Sequence, residues 1–334
     1  MNKEYKFSAA ELEAQISHLK EKKITELTVT DPDVASNKQK LLSLINKVLQ
    51  FAPDIFVSFT VNASVLDREV AAAAQNIFCS FEIPLVCSQK GGKLLFDKKF
   101  YAGKLRLLND LGLVFGLDLT YAISEGDSLK AFMDRLDFAI QQYPNHINFV
   151  QTETAVFSGE MQEFEPHVTG TFSAKDIRYA RDLAFACRTF YSSGRAVPWF
   201  LSVLKPLKIY PSCFFADFAE WQRCNNCCFK SGFNPEAEKH VSIEKMQLLF
   251  LDEKYEEKHC HPMVLAMHDI VRLNGAMSRL VGEDEESVVK TSYNPEDIFG
   301  PESMDLVSFC ENVCMEECNV KVFFNGNSPD FALK

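Results

Sequence analysis

Residues 24–151 carry a repeating beat of short apolar runs and amphipathic helical patterns, and this alternation constrains the fold more than any other feature of the chain. Apolar runs at 24–29, 55–61, 77–86, 114–121 and 147–151 have the length and side-chain types of strands. Between them, Leu41, Leu44, Ile45 and Val48 recur at helical spacing, as do Phe132, Leu136 and Ile140. Ser8 with Glu11 and Ser36 with Gln39 form capping-box patterns at helix starts. Gly91-Gly92 marks a turn. Parallel strand pairs need long crossovers, usually helical, so the beat predicts a parallel sheet. The spacing fits both an open sheet and one curved into a barrel.

The pattern changes near residue 166. Ser173 and Asp176 make another capping box, followed by Ile177, Ala180, Ala184, Cys187 and Tyr191 at helical spacing, with Gly194 placed to end the helix. Further helices are expected over 214–221, 242–255, 264–281 and 305–318, with one strand at 320–324. The acidic run 283–286 reads as a solvated loop. Cys310, Cys314 and Cys318 join Leu306, Phe309 and Val313 as the apolar stripe of the last helix. The expected division is 1–165 and 166–334, the second part mainly helical.

Composition removes several function classes. The hydrophobic content of 47% suits a folded core. A formal charge of −11 argues against non-specific nucleic-acid binding, which needs a basic surface. No apolar run is long enough to span a membrane, and the charged start is unlike a signal peptide, so the expected location is cytoplasmic. The 11 cysteines, none before Cys79, are then free thiols, core residues or metal ligands.

Several segments together resemble the radical SAM superfamily, in particular its cobalamin-domain-linked branch. Residues 24–31 (ITELTVTD) with Asn37 resemble the family's early strand and acidic turn, and 56–67 (FVSFTVNASVLD) the next strand and helix start. Residues 81–86 (FEIPLV) resemble the strand whose Glu faces the S-adenosylmethionine site, and 112–121 (GLVFGLDLTY) with Phe132 and 137–139 a later strand, loop and helix. Residues 156–161 sit where the family has a Pro-Gly-Thr turn, and 172–221 resemble the branch's helical extension. The resemblance spans 8–221. It implies an α/β fold: an incomplete parallel (βα) barrel of radical SAM type over 1–165, followed by a mainly helical C-terminal region over 166–334.

The family's Cys-x-x-x-Cys-x-x-Cys loop would lie before residue 8 and is not found. Three thiolates of that loop hold a four-iron cluster, so an iron–sulfur cluster is not expected in this chain alone. Pro84 replaces a family Gly, Ala122-Ile123-Ser124 replaces Gly-Leu-Pro, and Lys98 and Lys99 stand for an Arg. What the resemblance leaves is an S-adenosylmethionine pocket. Asp31, Asn62, Glu82 and Asp118 lie on or just after predicted strands, where a barrel presents its ligand groups, and they offer acceptors for ribose hydroxyls or the amino group. The competing reading is that these residues cap helices or pair with Lys and Arg.

Cys224, Cys227 and Cys228, with His259 and His261, form a candidate zinc site, since a Cys-x-x-Cys turn brings two sulfurs to one ion. The opposing reading is a thiol-rich loop. His268-Asp269 is a weak acid–base candidate because neighbouring helical residues point apart. Three functions follow. The first is a radical-SAM-like protein without its own cluster, acting as a non-catalytic binding or partner subunit, with a partner pairing at an exposed barrel edge. The second is the later part of an active enzyme whose cluster loop is supplied by another chain or lost by truncation. The third is a zinc-stabilised binding module.

Overall fold

The computed structural model describes residues 8–19, 22–91, 93–122, 124–149, 166–226 and 232–334. The chain forms two compact units, Met1–Ala180 and Arg181–Lys334.

The first unit opens with α1 (Ala9–Gln15), whose capping box joins Ser8 and Glu11 as the sequence predicts. β1 (Glu26–Val29) leads to α2 (Pro32–Ser36) and α3 (Lys38–Phe51). The cap of α3 is Asn37 rather than Ser36: its side-chain oxygen accepts from the N–H groups of Gln39 at 3.0 Å and Lys40 at 3.2 Å. Removing such an acceptor exposes two orphan donors, so Asn37→Ala is expected to cost about 1 kcal/mol. Urea denaturation measures this, and a loss below about 0.3 kcal/mol contradicts the capping role.

β2 (Phe56–Thr60), α4 (Arg68–Ala74) and β3 (Cys79–Pro84) continue the alternation. A small antiparallel hairpin, β4 (Ser88–Lys90) and β5 (Lys93–Leu95), follows, with Gly91 in the left-handed region at φ 59°. Then come α5 (Lys98–Asp110), β6 (Val114–Leu119), α6 (Leu129–Ile140) and β7 (His146–Phe149).

The main sheet is parallel, in the order β1-β2-β3-β6-β7. Strands are added in one direction with no reversal. With right-handed crossovers, this winding places the connecting helices on one face, as in a barrel and unlike a doubly wound sheet. Burial agrees: Val57, Phe59, Phe81, Phe115, Leu117 and Ile147 are buried, while Ser58, Thr60, Glu82, Asp118, His146 and Asn148 on the alternate positions are polar and more exposed. Among the described residues the sheet is open, as it would be in an incomplete barrel, and a barrel is not shown. β1 and β7 are its outer strands and do not pair with each other.

The second unit takes up the last turns of α7 (Ala174–Cys187), which widens into a π-helical segment, Arg188–Ser193, before Gly194. Gly194 has φ −77°, so its role is close approach: a Cβ there would overlap the Phe190 carbonyl and the Gln247 amide. α8 (Phe200–Leu204), α9 (Pro211–Asn225), α10 (His240–Glu257) and α11 (Val264–Glu283) follow. An aromatic core fills their centre, with Phe190 and Phe214 edge to face at 4.9 Å and Phe190 and Phe218 at 5.0 Å.

Besides the expected helices, the strand expected at 320–324 falls within β9 (Cys318–Asn325), which pairs with two further strands, β8 (Ser287–Thr291) and β10 (Ser328–Leu333), in a three-stranded antiparallel sheet of order β10-β9-β8. Val322 of β9 belongs to a small core with Ala276 and Leu280 of α11. The helix expected over 305–318 is shorter. After α12 (Pro295–Phe299), α13 (Leu306–Asn312) stops where Val313 turns extended. Cys310 is therefore helical, Cys314 lies exposed beyond the helix and Cys318 begins β9, so the three thiols form no stripe.

Candidate functional site

The polar face of the main sheet carries the best-defined constellation. In a strand, alternate residues share a face, and the parallel register sets which of them stand side by side. Thr60, Glu82, Gly116 and His146 lie in one row across β2, β3, β6 and β7. Pro84, Asp118 and Asn148 form the next row toward the strand ends.

Within these rows the side chains converge. His146 Nε2 lies 2.7 Å from Glu82 Oε2. The Asn148 amide donates to Glu82 Oε2 at 3.2 Å and to Asp118 Oδ1 at 2.9 Å, so one NH₂ group bridges two carboxylates. Gly116 makes the arrangement possible: it sits between β3 and β7, and a Cβ there would overlap both the His146 ring and the Glu82 carboxylate. The site is not sealed. The His146 side chain is 33% exposed and that of Glu82 is 15% exposed.

The electrostatics follow from this crowding. Burial pushes the Asp118 carboxyl up to about 6; the Asn148 hydrogen bond opposes the shift and the nearby Glu82 charge adds to it. His146 is raised above its ordinary value, chiefly by its hydrogen bond to Glu82, with burial opposing. Near neutral pH the cluster holds two acids and one base, a donor-seeking surface that disfavours anions.

The structure divides the four expected ligand residues into two pairs. Glu82 and Asp118 come together through Asn148. Asp31 caps α2, accepting from the N–H groups of Asp33 at 2.8 Å and Val34 at 3.1 Å. Asn62 donates to Ser36 Oγ at 2.9 Å. Asp31 is thus engaged in a local helix cap, and Asn62 in a contact with α2, 26 residues earlier in the chain. His146, Asn148 and Gly116 were not anticipated. The period of two in His-Ile-Asn-Phe was the available signal, and a strand started at residue 147 loses its first member.

A buried ion pair stiffens the loop after β6. Arg135 Nη1 lies 3.1 Å from Asp127 Oδ1, with side-chain exposures of 5% and 1%. Arg135 also donates to the Thr120 carbonyl at 3.0 Å, and Asp127 accepts from the Ala122 N–H at 3.0 Å. Ala122, where the family resemblance implies glycine, sits in the left-handed region at φ 54°.

Of the expected zinc ligands, Cys227 and Cys228 lie outside the described residues. Cys224 is exposed on α9, and the His259 and His261 rings are 6.3 Å apart. Cys260 between them is buried, its thiol directed at the Pro206 carbonyl at 3.7 Å. Among the described residues no three His, Cys, Asp or Glu side chains are grouped to hold a metal ion. The described cysteines do not fit a four-iron cluster either, which needs three gathered thiolates. Cys79, for example, is buried and its thiol is pushed up to about 12. His268 faces Asp252 at 2.6 Å, whereas Asp269 accepts the Ser292 and Tyr293 backbone N–H groups at 2.6 and 3.1 Å, so the adjacent pair is not one acid–base unit. Among the described residues no helix is long and apolar enough to cross a membrane.

No family model matches the chain, and no curated protein matches it. Among solved structures, the chain is similar to a radical S-adenosylmethionine methyltransferase, TsrM, from Kitasatospora setae, whose structure has cobalamin and a 4Fe-4S cluster bound. The TM-score is 0.35 at 10% identity, covering 42% of this chain and 28% of that chain. The chain thus spans less than a third of that enzyme, and the likeness carries no argument.

Proposed function

We propose that this chain is a radical-SAM-like binding or partner subunit that does not itself start radical chemistry, and that the polar face of its parallel sheet takes S-adenosylmethionine. One observation carries the reading: Glu82 and Asp118 are drawn together on the face opposite the packed one, bridged by Asn148 and backed by His146. Carboxylates in that position are acceptors for an amino group or for ribose hydroxyls. Charge-assisted hydrogen bonds of this kind contribute about 1.5–3 kcal/mol each.

Calorimetric titration with S-adenosylmethionine is expected to show saturable binding at one site. The Glu82→Gln/Asp118→Asn double variant is expected to weaken it by roughly tenfold or more. Absence of binding, or equal binding by the variant, contradicts the site. Reconstitution with iron and sulfide tests the other half of the proposal. The expected result is no visible cluster absorption, and a stable four-iron cluster that cleaves S-adenosylmethionine would instead support an active enzyme.

A further inference from the structure

The polar cluster also indicates which ligand group it takes and what that group displaces. We propose that the group seated between Glu82 and Asp118 is a primary ammonium, and that His146 is its built-in competitor, surrendering one proton to solvent when the ammonium binds. This inference rests on the reading of the sheet face as an S-adenosylmethionine site and adds the chemistry of recognition.

The geometry supports a donor with several hydrogens. Glu82 Oε2 already receives both His146 Nε2 at 2.7 Å and the Asn148 amide at 3.2 Å. Its other oxygen, Oε1, has only the Ser80 hydroxyl at 3.5 Å. Asp118 Oδ1 holds the same Asn148 amide, while its Oδ2 accepts no hydrogen bond among the described residues. Two carboxylates therefore keep acceptor capacity at Glu82 Oε1 and Asp118 Oδ2, beside the Asn148 amide that bridges their other oxygens. A tetrahedral ammonium offers three donors and a full charge, where a hydroxyl offers one donor and none.

His146, hydrogen-bonded to Glu82 and raised in proton affinity by it, is the group that can take up positive charge there when no ligand is present. The charged groups acting on it are Glu82 on β3 and Asp118 on β6, both raising its proton affinity; the β2 residue in the same row, Thr60, is uncharged. A cation arriving at Glu82 removes the reason for that raised affinity, and the imidazole proton leaves. The sign is then fixed. Below the raised His146 pKa, ligand and proton compete for the same carboxylate, so affinity falls as pH falls. Once pH drops through about 6, protonation of Asp118 removes the second carboxylate charge and weakens binding further.

The test compares S-adenosylmethionine with 5′-methylthioadenosine, which keeps the nucleoside and lacks the ammonium. Affinities of both are measured by calorimetry at about pH 5.5 and about pH 7.5, bracketing histidine titration. The native protein is expected to bind S-adenosylmethionine more weakly at the lower pH, by at most about tenfold per pH unit, the limit that linkage to one proton sets. Methylthioadenosine is expected to show little pH response. His146→Gln, which keeps a donor beside Glu82 but cannot charge, is expected to bind S-adenosylmethionine more tightly than native protein at the lower pH. Equal affinity of S-adenosylmethionine at both pH values overturns the proton exchange while leaving the site reading intact. A full pH response in His146→Gln also overturns it. Failure of both ligands to bind at either pH overturns the site reading and this inference together.

Discussion

Arg135→Ala is expected to destabilise the first unit by about 3–5 kcal/mol, because it leaves the Asp127 carboxylate buried without its counter-charge. Both side chains are almost fully enclosed, so water cannot replace the guanidinium. The pair also has duties beyond each other. Arg135 holds the Thr120 carbonyl, and Asp127 holds the N–H groups of Ala122 and Ser128. Replacing both partners with apolar residues therefore does not restore stability fully: the Ala122 N–H would be orphaned at a cost of about 1–3 kcal/mol. A double-mutant cycle by urea denaturation separates these contributions. A loss below about 1 kcal/mol for Arg135→Ala contradicts the account of the loop after β6.

Gly116→Ala is expected to weaken S-adenosylmethionine binding by roughly tenfold to a hundredfold with little change in stability. The added methyl would meet the ends of two side chains, His146 and Glu82, rather than backbone. The strands can stay where they are while the two side chains rotate apart. His146 then loses the hydrogen bond that raises its pKa, and its titration is expected to return toward the ordinary value of about 6.5. Nuclear magnetic resonance titration of the imidazole reads this directly. An unchanged His146 pKa in Gly116→Ala, with the protein folded, contradicts the role given to the gap.

Both predictions concern features of differing visibility in the sequence. The five parallel strands were legible because apolar runs separated by helical patterns leave few alternatives, and each observed strand lies within or beside its expected run. An open sheet and an incomplete barrel were not separable in the sequence, because local patterning is the same for both. Glu82 and Asp118 were singled out for their place on predicted strands and, for Glu82, for the family resemblance, and the register sets them on one face of the sheet. Asp31 followed the competing rule, since an Asp directly before Pro32 is also a strong helix cap. His146 was missed through a one-residue error at a strand start, where a period of two gives little redundancy, whereas Asn148 lay inside the expected run and was passed over.

The second half failed for a different reason. Its last 50 or so residues place two short helices between strands β8 and β9, and neither length is enough for periodicity to decide. Cys310, Cys314 and Cys318 fit helical spacing well, yet the backbone turns extended at Val313. Gly326-Asn327 was the missed signal: it is a two-residue hairpin connection between β9 and β10, with Gly326 at φ 64°.

The central claim is that ligand binding takes place at the polar sheet face. The most direct measurement follows the His146 imidazole resonances while S-adenosylmethionine is added to the native protein near neutral pH. The account predicts a saturable change at His146 that tracks the calorimetric binding curve. Saturable binding with the His146 resonances unmoved would place the ligand elsewhere and contradict it.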